Sequence, residues 1–188
     1  MRPTPGGTGR RRPHSEGWLE VFVSDEQHDQ PVDVTRWSRL AHDVLTARGV
    51  RGEAELSILF VDEAAIAELN RRFLAGDGPT DVLAFPIDDD LAELSSLPDP
   101  STTGPDRQPP AADEAPVLLG DVVICPAVAA RNAPDHAGDH HGGGLADELA
   151  LLVVHGILHV LGMDHAEPQE AAAMQAAERD LLTRFHEQ

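Results

Sequence analysis

DELALLVVHGILHVLGMDH, residues 147–165, is the stretch on which the reading of this chain turns. It is apolar almost all round up to Gly162, which predicts a buried core helix over about 145–162. Two residues four apart lie only about 40° from each other around a helix, so His155 and His159 share a face. Burying two imidazoles in so apolar a helix is costly unless something satisfies them. Gly162 can take the left-handed conformation that ends a helix, which turns the chain back and delivers His165. The three rings can then meet at one ion, through neutral nitrogens at about 2.0–2.1 Å in the case of zinc. Three ligands with no obvious fourth leave a position open to water, the mark of a catalytic rather than a structural zinc site. One Zn2+ ion held by His155, His159 and His165 is therefore expected.

The same spacing, HxxxHxxGxxH, occurs in the zincin-like helix of metzincin proteases, where the residue after the first histidine is the glutamate that moves the proton. Here that residue is Gly156, expected to face sideways from the ligands and to permit close approach by backbone or substrate. Peptide hydrolysis needs a proton delivered to a poor amine leaving group. Phosphodiester cleavage depends less on that carboxylate, because a metal and arginines can stabilise charge on phosphoryl oxygens. Zinc lowers the pKa of a bound water to near 7, so such a water is the expected nucleophile or proton acceptor. No residue stands out as the general base. Gly156 thus counts against a protease and leaves a nuclease or phosphoesterase open.

Three neighbouring features carry weaker expectations. Asp164 reads either as an acceptor for a ligand imidazole or as a solvated turn residue. Glu148 reads as a partner of the helix dipole in the first turn, in preference to a catalytic base. The run DHAGDHHGGG (135–144), with His136, His140 and His141, reads as a flexible loop without preorganised geometry.

Outward from this helix, four stretches read as strands: WLEVFVS (18–24), EAELSILFV (53–61), DVLAFPI (81–87) and LLGDVVIC (118–125). Pro86 favours an edge position for the third. Helices are expected over 33–49, where the apolar residues recur at helical spacing and Gly49 supplies the stop, and over 62–74 behind Asp62 as N-cap. A last helix covers about 167–186, with Pro168 in its first turn. The order β-α-β-α-β-β-α-α predicts an α+β fold, a small mixed sheet of about four strands covered by helices.

One domain is expected over 18–188, preceded by a disordered extension at 1–17 that is basic but lacks the apolar core of a secretory signal. Residues 88–116 carry eight acids and one arginine among Pro and Ser, and read as a disordered acidic insertion. They hold −7 of the formal −19, so the remainder is still acidic and any contact with nucleic acid must come from a local patch. The 14 basic residues are all arginine. A single cysteine, Cys125, excludes an intrachain disulfide and fits a cytoplasmic location. No apolar run approaches the ~20 residues of a transmembrane helix.

The second informative segment is LNRRFLAGDGPTDVLAFP, residues 69–86. Its GDGPTD is a turn in which Asp77, Thr80 and Asp81 can hydrogen-bond nearby amides; structural polar residues and a ligand-binding loop are the two readings. Together with LGDVVIC (119–125) and HGILHVLGMDH (155–165), this segment resembles the YbeY family of bacterial endoribonucleases, also called rRNA maturation factors. The resemblance covers about 18–186. It implies a zinc ion on His155, His159 and His165, and a metal-dependent, single-strand-specific endoribonuclease acting in small-subunit rRNA 3′-end maturation and ribosome quality control. The implied partners are rRNA, the small ribosomal subunit and ribosome-associated proteins, with no membrane. Thr80, Asp81 and Asp164 are the expected supporting or substrate-facing residues. One position departs from the pattern. Many members have arginine directly after the aromatic of the LNxx(Y/F) segment, and here Phe73 is followed by Leu74. Two other readings remain beside the nuclease: a ribosome-assembly factor with a mainly structural metal, and a metzincin-like protease.

Overall fold

The structure, a computed structural model, describes residues 19–51, 53–87, 116–138 and 141–186. The expected tail at 1–17, all of the acidic insertion except Pro116, and His140 lie outside the described residues.

Four strands, β1 (Leu19–Asp25), β2 (Ala54–Phe60), β3 (Val82–Pro86) and β4 (Val117–Ile124), form one mixed sheet in the order β1-β2-β4-β3. β1, β2 and β4 run parallel, and β3 lies antiparallel to β4 at an edge, where a proline costs no ladder bond. Strand side chains alternate between faces, and the two faces bury different things. On one, Leu56, Ile58, Phe60, Val122 and Ile124 enter the main core. On the other, Leu83 and Val123 join a smaller cluster with Val61, Ile66, Cys125 and Val128.

The main core is closed by three helices: α1 (Val34–Ala47), α4 (Leu145–Val160) and α5 (Pro168–Phe185). α1 starts where Asp33 Oδ1 accepts from the amides of Thr35 and Arg36, and buries Trp37, Leu40, Ala41, Val44 and Leu45 along one stripe. The smaller cluster is covered by α2 (Glu63–Phe73), capped by Asp62 through the Ala65 amide, and by α3 (Pro126–Asn132). α3 and the 3-10 turn Ala133–His136 that follows it are absent from the sequence reading, because seven residues carry too few turns to show a period.

α4 is the centre of the molecule. Ten of its residues, from Glu148 to Val160, are buried, as the all-round apolar pattern demanded. It ends where Gly162 adopts φ 82°, with its amide donating to His159 O and the Met163 amide donating to Leu158 O. That double hookup is the helix-ending motif that favours glycine. Gly156 permits a close approach, here by a strand, and also lines a cavity with the three histidines. A Cβ there would lie 2.4 Å from Val122 Cγ1, so the glycine lets α4 settle directly on β4. A side chain at this position would force Val122 or the helix to shift.

Candidate metal and proton-transfer site

α4 presents the imidazoles of His155 and His159 on one face, and the Gly162 turn returns His165 towards them. One ring nitrogen from each lies within 4.8 Å of the other two. His155 Nε2 and His159 Nε2 are 3.1 Å apart. Two ligands of one tetrahedral ion at zinc distances stand about 3.3 Å apart, so the donor set and its spacing fit such an ion. Burial pushes the His159 pKa down, with the two other rings adding to the effect, and this favours the neutral form that a ligand must have.

His155 is held from behind. Its Nδ1 meets Glu178 Oε1 of α5 at 2.7 Å, which fixes the ring and turns Nε2 toward the other two histidines. Glu178 is absent from the sequence reading, although one signal existed. It lies four residues after Met174 and three before Leu181, so it is an acid on the buried stripe of its own helix. Asp164, the sequence candidate for such a role, accepts instead from the backbone amide of His165 at 2.7 Å, and caps the turn.

The loop of Thr80 and Asp81 is built largely by its own hydrogen bonds. Asp81 Oδ1 accepts from the Val82 amide and from Thr80 Oγ1, while Oδ2 accepts from Asn132 Nδ2 at the end of α3. Asn70 Nδ2 donates to Gly78 O and pins the same loop to α2. Asp81 also lines a cavity of about 280 Å³ together with His136, Glu148, His155, His165 and Glu178. A second cavity of about 300 Å³ is lined by Leu74, Ala84, Pro86 and all three histidines. Leu74, 59% exposed, therefore stands at the rim of the site. Arg71 is paired with Glu68, and the Arg72 guanidinium lies 5.1 Å from the centre of the Phe73 ring.

Glu148 stands in the first turn of α4 as expected, while the histidine loop departs from expectation. Glu148 is fully buried, and so has a more specific partner than the helix dipole. His136 Nδ1 lies 2.9 Å and 3.0 Å from its two carboxylate oxygens. His141 Nε2 comes within 3.0 Å of Oε2, outside hydrogen-bond geometry. His141 Nδ1 accepts from the Gly143 amide, which leaves the proton of a neutral ring on Nε2, facing Glu148. The loop read as lacking preorganised geometry thus delivers two rings to one buried carboxylate.

Comparisons with known proteins bear on what this arrangement belongs to. The family model described as Endoribonuclease YbeY matches residues 22–186. A protein of Salinispora tropica named Endoribonuclease YbeY is 46% identical over 164 residues, covering 87% of this chain and 94% of its own length. One of Thermobifida fusca with the same name is 45% identical over 164 residues (87% and 92%), and one of Frankia alni is 43% identical over 166 (87% and 81%). A match over nearly the whole described fold, with the three histidines inside it, leaves one conclusion: the chain belongs to the YbeY family of endoribonucleases.

Proposed function

We propose that this chain is a zinc-dependent, single-strand-specific endoribonuclease that acts in maturation of the small-subunit rRNA 3′ end and in ribosome quality control. As a member of an endoribonuclease family it is a hydrolase acting on RNA phosphodiester bonds. The observation that carries the metal-dependent reading is the convergence of His155, His159 and His165 within 4.8 Å, braced by Glu178. His155, His159 and His165 would hold the ion. Bound there, zinc would supply Lewis acidity to phosphoryl oxygens and to water. The protein's own part is to hold three imidazoles in place, to orient one through Glu178, and to offer two cavities beside the triad for the strand. Partners are rRNA, the small subunit and ribosome-associated proteins. The proposed work is cytoplasmic. Among the described residues no helix is long and apolar enough to cross a membrane.

The test is metal analysis joined to rRNA cleavage by the purified protein. His155→Ala and His159→Ala are each expected to lose both zinc and processing. Full processing by a metal-free variant would sink the reading. An alternative, an assembly factor with a mainly structural metal, draws on Leu74 in place of a cation and on the formal charge of −19. It would be favoured by protein that co-sediments with the small subunit yet leaves rRNA uncut. A protease reading has little support, since position 156 is glycine and lacks the carboxylate that moves the proton in such proteases.

A further inference from the structure

We infer that His136 is the proton carrier of the cleavage step, oriented by the buried carboxylate of Glu148. The inference rests on the endoribonuclease reading above. A carboxylate with no exposure is costly to keep in a core, and Glu148 is kept there with two imidazoles against it. Of those two, His141 is only 9% exposed, with its Nδ1 occupied by the Gly143 amide. His136 is 47% exposed and lines the same cavity as His155 and His165. Its Nδ1 is engaged by Glu148, so Nε2 is the nitrogen it presents to a substrate. An imidazole fixed through one nitrogen by a third group is free to give or take a proton through the other. The two other carboxylates lining that cavity are engaged elsewhere, Asp81 by Val82, Thr80 and Asn132 and Glu178 by His155.

The charge state gives the direction of transfer. The hydrogen bond to Glu148 raises the His136 pKa above its ordinary value against the opposing effect of burial, with Asp81 and Asp135 adding smaller pulls in the same direction. Glu178 and Arg179 of α5 face the ring across a neighbouring hollow. In its protonated form, which the raised pKa favours, His136 acts as an acid through Nε2. The oxygen of an attacking water forms the new bond to phosphorus, and the bond from phosphorus to the leaving ribose oxygen breaks with its electron pair on that oxygen. The leaving oxygen takes the proton from His136 Nε2. The proton lost by the water returns through solvent to the neutral imidazole.

The experiment compares the wild type with His136→Ala and Glu148→Gln on a single-stranded RNA, with zinc content and thermal unfolding measured on each. His136→Ala is expected to bind zinc normally and to lose roughly 10²–10⁴-fold in kcat, with KM little changed. Added imidazole should restore part of the rate, and the alkaline limb of the pH–rate profile should vanish. In zinc-free protein, ring resonances should show a high His136 titration that falls toward the ordinary histidine value in Glu148→Gln. A folded His136→Ala that cuts at the wild-type rate with an unchanged pH profile overturns the inference and leaves the nuclease reading standing. A His136 titration that does not respond to Glu148→Gln overturns the orienting role. Zinc-loaded wild type that leaves RNA intact overturns the nuclease reading itself, and the inference with it.

Discussion

The triad of His155, His159 and His165 fits within eleven consecutive residues, whereas the cluster of His136, His141 and Glu148 is assembled from a 3-10 turn, a loop and a helix. The first is specified by a local period: two residues four apart on one helix, then a glycine that turns the chain. Nothing in the spacing of the second brings its members together. They meet because the chain after β4 is carried back across the start of α4, where a buried acid waits. A metal site can be written in one helix and its cap, but a proton relay of this kind is a product of packing.

The sharpest test of the contrast after removal of a ligand itself is Glu178→Gln, which should weaken zinc affinity by about 10–100-fold while leaving all three ligands in place. Competition with a metallochromic chelator reads this directly, and unchanged affinity would show that α5 does not brace the site. Gly156→Ala comes next. Its Cβ meets a stiff, fully buried Val122, and overpacking of this kind costs about 1–3 kcal/mol, seen as a lower denaturant midpoint. The better helix propensity of alanine, about 1 kcal/mol, offsets part of that cost. Combination with Val122→Ala should recover more stability than the two single changes predict by addition.

A smaller effect separates the clusters by pH. The His136 pKa is raised in the folded protein, so its contribution to stability is fully present below the ordinary histidine value of about 6.5 and is lost as pH rises through the folded value. The stability gap between wild type and His136→Gln should therefore be widest in mild acid and narrow above neutrality. The ring is half exposed, so solvent screening keeps that gap modest. A gap independent of pH would mean that the ring is held by packing alone. The smallest change expected is from Leu74→Arg, which places a cation at the rim of the triad's second cavity. Binding of single-stranded RNA should tighten, and the slope of log affinity against log salt should steepen by about 0.7.

The helix over 145–162, its three histidines, the Gly162 stop, the edge position of β3 and the α+β order were legible because each depends on residues close together in the chain. Helical period and glycine conformation are local properties. The partners of Glu178 and Glu148 and the strand that Gly156 admits were not, for one shared physical reason. Glu178 acts on a ring 23 positions away, Glu148 on one 12 positions away, and Gly156 is required by a valine of β4. An acid on an apolar stripe can be noticed in a sequence, but the partner that makes its burial tolerable is chosen only when two helices and a sheet close on one another. The sequence by itself determined the family and the three histidines that converge; the tertiary structure decided which carboxylates hold the imidazoles, because burial of charge is settled between segments and not within them.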